Sequence, residues 1–466
     1  MGRRAWGVLF VLCGTIFLEG LDVSMMGVAL PSIQSDLGVS TNSLQWVVSA
    51  YVLGYGGFTL LGGRAADLLG RRQMFLFWLT VFLLFSGLGG FATKGWLLIV
   101  ARFVTGVSAG FMTPAALSII TTSFAEGRER NRALLVFSAA AAAGFSLGLV
   151  VGGLLTEIDW RWVFFAPVLM ASALLISAVR LIPDPGPVER STDGYDLGGA
   201  VTVTAAMLLF VFAVVKAPDV AWTRTLGTLA LSGGFLAAFV IIERHAAAPL
   251  VWLGILRSST LVRNNLSAML FVGSFSGFQF IAVLYLQTVR GWSALETGLA
   301  LLVAGIDAVL APTLTPRLVD RFGVVRVILA GSLVAATGYA LFLPIGLDSA
   351  YATAMFPTML LTGIAFALVY GPLTIAATSG IVPSEQGLAG GLLNSSIQFG
   401  TAIGLAVMTA VHVAAAGPDG SPQALLDGYR AALVVPVIAT LLAATITLTG
   451  LRTPGPERRR EAERVG

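Results

Sequence analysis

Four ionisable side chains interrupt the long apolar runs of this sequence: Glu19, Asp22, Arg102 and Asp307. A charge near the centre of a bilayer costs about 3 kcal/mol on insertion scales, so such residues face a partner or a water-filled cavity. A carboxylate in that position can gain and lose a proton. The four residues therefore predict proton coupling or substrate binding inside an apolar scaffold.

Asp22 and Arg102 have opposite charges and lie at similar depths in two apolar runs, each roughly 10–13 Å from the same end. We expect an ion pair between them, with Glu19 one turn below Asp22 because residues i and i+3 share a helix face. Protonation would break the pair, and a cationic substrate could compete for it. The alternative is a pair that only braces helix packing. For Asp307, contact with substrate or proton and a hydrogen-bonded structural role both stay open.

The elements that hold these residues are membrane-spanning helices. The chain is 56% hydrophobic and 11% charged, with a mean hydropathy of +0.88, which is too apolar for an ordinary soluble domain. A span needs about 20 mostly apolar residues. On this criterion the sequence predicts fourteen spans, near residues 5–30, 44–63, 74–93, 96–118, 134–155, 162–182, 198–216, 225–242, 264–286, 296–315, 324–345, 351–373, 392–414 and 429–451.

The distribution of charge gives the predicted helices an orientation. Basic residues concentrate in alternate loops, which predicts a multi-pass protein of the cytoplasmic membrane with both termini in the cytoplasm. The same distribution argues against a nucleic-acid partner despite the net charge of +4. Lys94 and Lys216 are the only lysines, so no Gly-Lys-Ser/Thr phosphate loop exists and an ATP-driven pump is disfavoured. His245 and His412 do not form a convincing metal pair.

Two polar segments divide the chain. The first follows the sixth predicted span and is rich in proline and charge, and the second follows the eighth. The division predicts an N-terminal six-helix bundle at residues 1–183, a linker with two additional helices at 184–263, a C-terminal six-helix bundle at 264–452 and a basic cytoplasmic tail at 453–466. Paired bundles with a site between them are a transporter architecture.

A repeated loop motif relates the two bundles, after the second and the tenth predicted span. The matching residues are Arg64, Asp67 and Gly70 in the first copy and Arg317, Asp320 and Gly323 in the second. Gly63 and Gly70 permit a tight turn. Asp67 could pair with Arg64, Arg71 or a basic residue of the other bundle and so lock a gate. The alternative is a purely topological role, which we expect of Arg71 and Arg72 in any case.

Small residues recur on one face of the fifth span. Gly144, Gly148 and Gly152 are spaced by four, with Gly153 beside them, and this pattern favours close packing of another helix. In the loop before the tenth span, Ser293 and Glu296 predict a capping box that begins the helix.

Together these segments resemble the major facilitator superfamily, and within it the fourteen-span drug:proton antiporter branch. The resemblance covers nearly the whole chain and is carried by segments spread along it: residues 21–24, 28–31, 63–72, 102–106, 160–162, 291–293 and 388–394. The resemblance implies an all-α major facilitator fold of two six-helix bundles plus two extra helices. It also implies a role for Arg102 in proton coupling, with the proton gradient as energy source and no cofactor or metal.

Two departures from the branch bear on function. The antiporter motif of the fifth span normally contains a glycine-proline pair, but the pair here is Gly148-Leu149, which removes a built-in kink. In the thirteenth span, Asn394 and Gln398 stand where some relatives that handle multivalent cations carry carboxylates. These two residues are possible polar groups of the cavity, and dicationic substrates are less expected.

The sequence therefore predicts a secondary active transporter and not an enzyme. The leading hypothesis is proton-coupled export of small amphipathic or hydrophobic compounds, such as drugs, antibiotics or metabolites, which would confer antibiotic resistance. Its partners would be a small-molecule substrate, protons and the bilayer, and the oligomeric state stays open. The alternatives are a proton-coupled importer or narrow metabolite transporter of the same fold, and a non-transporting membrane sensor.

Overall fold

The computed structural model describes residues 3–124, 128–183, 196–216, 220–246, 254, 258–378, 386–417 and 421–450. The described chain is a bundle of α-helices. They are α1 (Arg3–Leu37), α2 (Thr41–Leu69), α3 (Arg71–Gly90), α4 (Gly95–Ser123), α5 (Arg128–Ile158), α6 (Trp162–Leu181), α7 (Leu197–Lys216), α8 (Trp222–His245), α9 (Ser259–Leu284), α10 (Ala294–Leu302), α11 (Asp307–Thr313), α12 (Thr315–Phe322), α13 (Val324–Phe342), α14 (Phe356–Thr378), α15 (Gln386–Ala416) and α16 (Pro422–Thr449).

Helices occupy the positions of the predicted spans. Among the described residues, twelve segments are long and apolar enough to cross a membrane. The two predicted spans outside that set coincide with α2 and α7, of which α7 is apolar but shorter. The protein is therefore a multi-pass membrane protein, and the count of fourteen spans stays a prediction.

Several predicted boundaries change. α1 continues to Leu37, past the predicted end near residue 30, with Pro31 inside the helix. The tenth span is not one regular helix, because a 3₁₀ segment at Val303–Ile306 separates α10 from α11. Gly63 lies inside α2, so the tight turn predicted there is wrong. The chain turns only at Gly70, after the helix has continued for six further residues beyond Gly63.

The two copies of the loop motif share a backbone feature. Gly70 separates α2 from α3 with φ of 98°, and Gly323 separates α12 from α13 with φ of 81°. A positive φ is costly for residues with a Cβ atom and free of that cost for glycine. The repeat recognised in the sequence is thus present in the fold as two equivalent helix-breaking glycines.

The glycine face of α5 packs against α1. A Cβ atom on Gly144 or Gly148 would collide with the backbone of Phe17 or Leu21. Gly153 lies on a different face of α5 and packs against α10, where a Cβ atom on it would lie 2.8 Å from the Cα atom of Leu295. Three glycines therefore bring α1 and α5 together, as their spacing predicts, and the fourth brings α5 against the opposite part of the chain.

We expect Gly148→Val to destabilise the protein by about 1–3 kcal/mol, since the added carbons must displace helix backbone. Its Cβ atom alone would lie 2.7 Å from the carbonyl oxygen of Leu21. Thermal unfolding of the purified protein measures the change. Gly227→Val is the control, because no heavy atom among the described residues lies within 4 Å of a Cβ atom at Gly227 in α8. Equal losses of stability in both variants would contradict the packing argument.

The capping box before the tenth span is confirmed. The Ser293 side chain accepts a hydrogen bond from the Glu296 backbone N–H, and the Glu296 carboxylate accepts one from the Ser293 backbone N–H. Two backbone groups that a helix start leaves unpaired are thereby satisfied. This cap fixes where α10 begins, next to Gly153 of α5.

α7 lies against both parts of the chain. The Thr204 hydroxyl donates to the carbonyl of Gly57 in α2 at 3.0 Å. The Phe210 ring meets the Phe399 ring of α15 edge-on, with centroids 6.4 Å apart. α8 is attached behind α7, where the Ser232 hydroxyl donates to the Ala206 carbonyl at 2.7 Å.

Candidate transport site

Asp22 and Arg102 form the ion pair that the sequence predicts. The Nη1 atom of Arg102 donates to Oδ2 of Asp22 at 2.6 Å, and the two side chains are 2% and 1% exposed. The guanidinium also lies over the Tyr51 ring, 4.4 Å from its centroid. Arg102 thus has two partners, a carboxylate on α1 and an aromatic face on α2.

The pair is incompletely hydrogen-bonded. Among the described residues, Oδ1 of Asp22, Nε of Arg102 and the Tyr51 hydroxyl have no hydrogen-bond partner. Buried polar atoms are normally satisfied, and unpaired ones destabilise the folded state by about 1–3 kcal/mol each. Among the described residues, the two side chains are therefore joined by a single hydrogen bond, and each keeps further polar atoms that this bond does not use.

Glu19 sits one turn from Asp22 on α1, in a separate hydrogen-bond chain. The Tyr55 hydroxyl donates to Oγ1 of Thr113 at 2.9 Å, and the Thr113 hydroxyl donates to Oε2 of Glu19 at 2.8 Å. Glu19 is 4% exposed. Asn394 of α15 interacts with the same Tyr55 hydroxyl. The chain therefore runs from a carboxylate on α1 through α4 and α2 to the C-terminal part of the protein.

The two polar residues predicted for the cavity both meet α2. Asn394 reaches Tyr55, and the Cβ atom of Gln398 would lie 2.9 Å from a Cβ atom on Gly56. Both side chains are partly buried. The structure therefore brings them to the same region as Glu19, although no hydrogen bond joins either of them to that carboxylate among the described contacts.

Asp307 is not part of this cluster. It begins α11, directly after the 3₁₀ segment at Val303–Ile306, and is partly buried. Its carboxylate interacts with the backbone N–H of Ala308, and no ion-pair partner lies within reach among the described residues. This contact supports the structural alternative more directly than contact with a substrate.

The proposed gating residues are only partly described. The side chains of Arg64 and Asp67 lie outside the described set. Arg72 donates through Nε to the Ile182 carbonyl at 3.0 Å and so ties the start of α3 to the end of α6. In the second copy of the motif, Arg317 and Asp320 are exposed. The pairing predicted for Asp67 stays a prediction.

Contacts join the two predicted bundles at one end of their helices. The Gln287 amide donates to the Val28 carbonyl at 2.9 Å, and the Leu295 backbone N–H donates to the Glu157 carboxylate at 3.3 Å. Gly153 lies against Leu295 at the same end. These contacts join the two predicted bundles at the end that is predicted to face outward.

Sequence reasoning did not identify Thr113, Tyr51 or Tyr55. Thr113 follows Arg102 by eleven residues, which is about three helical turns and places both on one face of α4. That spacing could have pointed to it. Tyr51 and Tyr55 are spaced by four on α2 and could have been recognised as a pair in the same way.

The described residues contain no group of three or more His, Cys, Asp or Glu side chains arranged to hold a metal ion. The Major Facilitator Superfamily model matches residues 12–405, with a second match over 265–466. The chain belongs to this superfamily. A major facilitator protein is a transport protein that acts on small molecules rather than an enzyme, and such proteins generally need no cofactor.

Two curated relatives cover almost the whole chain. The cephamycin export protein of Amycolatopsis lactamdurans is 37% identical over 94% of this major facilitator chain and 91% of its own length. The puromycin resistance protein of Streptomyces alboniger is 35% identical over 95% of this chain and 90% of its own. At these identities over nearly the full length, this chain and the two relatives belong to the same family.

A solved structure supports the fold. The crystal structure of the POT family transporter PepTSo superimposes with a TM-score of 0.70, covering 97% of this chain and 99% of that one. The sequence identity is 14%, so the likeness concerns the major facilitator fold alone. The predicted fold class is therefore confirmed.

Proposed function

We propose that this transporter exports small amphipathic or hydrophobic compounds, antibiotics among them, in exchange for protons across the cytoplasmic membrane. The observation that carries the proposal is the buried Asp22–Arg102 pair, 2.6 Å long, in which each partner has a polar atom without a hydrogen-bond partner among the described residues. Relatives named for cephamycin export and puromycin resistance support the direction and the class of compound.

The proposed cycle uses Asp22 as the proton acceptor. A proton from the outer side neutralises Asp22 and breaks its ion pair with Arg102. Arg102 then keeps its contact with the Tyr51 ring, 4.4 Å away, so the cation is not left without a partner. The broken pair frees α1 to move relative to α4, and release of the proton to the cytoplasm restores the pair.

Glu19 is the second proposed proton acceptor. Its hydrogen-bond chain through Thr113 to Tyr55 ends at Asn394 on α15. A change of charge at Glu19 would alter the hydrogen bonds that Thr113 and Tyr55 can donate, and so would reach the other predicted bundle. We propose that this chain couples the carboxylates of α1 to movement of the two bundles.

Inverted membrane vesicles with an acidic lumen test the proposal, because their cytoplasmic face is outside. Puromycin or lincomycin added to the outside is expected to enter the vesicle while protons leave, which a lumenal pH dye reports. A gradient that collapses only when the compound is loaded in the lumen would instead indicate a proton-coupled importer. A lack of response to a broad panel from either side would leave the non-transporting sensor as the better hypothesis.

A further inference from the structure

A row of aromatic rings crosses the space between the two predicted bundles. Phe145 of α5 meets Phe275 of α9 with centroids 6.3 Å apart, and Phe275 meets Phe366 of α14 at 4.7 Å. Tyr370, one turn further along α14, stacks on Phe366 at 5.0 Å with an interplanar angle of 13°. The row therefore starts at the N-terminal bundle and ends at Tyr370.

Tyr370, at the end of this row, is partly exposed. Its side chain is 40% exposed, whereas Phe275 is 8% exposed. Its hydroxyl is near that of Tyr55, a buried residue of α2 in the other predicted bundle. Because contacts with both predicted bundles surround this side chain, we infer that its exposed part faces the space between the bundles. Phe366 covers one face of the ring, which leaves the other face for a ligand in this inference.

Polar groups lie beside this open ring. Tyr55 interacts with both Tyr370 and Asn394, so a hydroxyl and an amide border the aromatic surface. A flat ring placed on Tyr370 would meet an aromatic face below it and hydrogen-bonding groups at its edge. Aromatic pairs in offset stacks are more favourable than the burial of their area alone.

We propose that Phe366 and Tyr370 form an aromatic subsite that selects compounds with a planar aromatic or heteroaromatic ring, oriented by Tyr55 and Asn394 at the ring edge. The subsite deepens the proposed export function and rests on it, because it names the class of compound that is carried. It assigns to α14 a role in specificity that is separate from the proton chemistry of α1 and α4.

Equilibrium binding to the purified full-length protein in detergent tests the subsite without any proton gradient. The probes are puromycin, which carries a purine and a methoxyphenyl ring, and lincomycin, an amine without an aromatic ring. Tyr370→Leu and Phe366→Leu are each expected to weaken puromycin binding by about 3- to 10-fold. The same variants should change lincomycin binding by less than about twofold.

Two control variants separate stacking from general damage. Tyr370→Phe keeps the ring and should leave puromycin binding within about twofold of the unaltered protein. Phe356→Leu removes another ring of α14, which is 39% exposed and packs on Tyr351 outside the subsite, and should leave both probes unaffected. Equal losses for the two probes in Tyr370→Leu, or no loss for puromycin, would overturn the subsite.

Failure of the subsite and failure of the export function give different results. A protein that binds neither probe but moves protons in response to another, non-aromatic compound overturns the aromatic class and leaves export standing. A protein whose puromycin binding depends on Tyr370 but whose vesicles show no compound-dependent proton movement supports the subsite and overturns the proposed function.

Discussion

Asp22→Asn is expected to abolish compound-driven proton movement, by at least about tenfold in initial rate. Asparagine has nearly the same shape and can still accept a hydrogen bond from Arg102, but it cannot bind and release a proton. The loss of the charged pair should cost about 1–3 kcal/mol of stability, which leaves the protein folded in the membrane. Proton flux in inverted vesicles, with puromycin as the added compound, measures the effect.

The matched control for this variant is Asp36→Asn. Asp36 pairs with Arg161 at 3.1 Å near the end of α1, where its side chain is 46% exposed. The same chemical change is therefore made on the same helix away from the buried site, and proton movement should be retained. An Asp22→Asn protein that transports at the unaltered rate would sink the coupling proposal and leave the pair as a brace.

Arg102→Met is expected to destabilise the protein by about 3–5 kcal/mol, because it leaves the carboxylate of Asp22 buried without its cation. Asp22 is 1% exposed, so water cannot replace the lost partner without a rearrangement. Thermal unfolding of the purified protein and the amount of protein in the membrane both report the loss.

The double variant Asp22→Asn with Arg102→Met distinguishes bracing from coupling. It removes both charges, so most of the stability lost in Arg102→Met should return. Proton-coupled transport should stay absent, because no titratable group remains at either position. A double variant that is stable and also exports at the original rate would contradict the assignment of Asp22 as proton acceptor.

Sequence reasoning reached the ion pair because its physical signal is strong. A charge within an apolar run needs a compensating partner, and Arg102 is the one arginine that lies deep in a predicted span and not within two residues of its end. The repeat at Gly70 and Gly323 was equally accessible, since only glycine adopts the positive φ that separates the helices without strain. Both features follow from local physical chemistry, namely the cost of a charge in an apolar helix and the backbone freedom of glycine, and so do not depend on how the helices pack.

Contacts between helices that are distant in the chain could not be predicted from the sequence. The chain has 28 Phe and 8 Tyr residues, so nothing in their number distinguished Phe366 and Tyr370 from rings that face lipid. The 3₁₀ segment before Asp307 also left no signal, because Val303–Ile306 is as apolar as the helix around it. Its position next to Ser146 of α5, where a Cβ atom on Gly305 would lie 2.7 Å from Oγ, is a matter of tertiary packing.

α7 touches the two bundles through contacts of different kinds. Thr204 reaches α2 through a directional hydrogen bond, whereas Phe210 reaches α15 through an edge-on ring contact that tolerates sliding. If the bundles rotate against each other, we expect the hydrogen bond to resist the movement more than the ring contact does. We therefore expect α7 and α8 to move together with the N-terminal bundle, while the C-terminal bundle slides along the contact between Phe210 and Phe399. On this expectation the inserted pair of helices belongs mechanically to the N-terminal bundle.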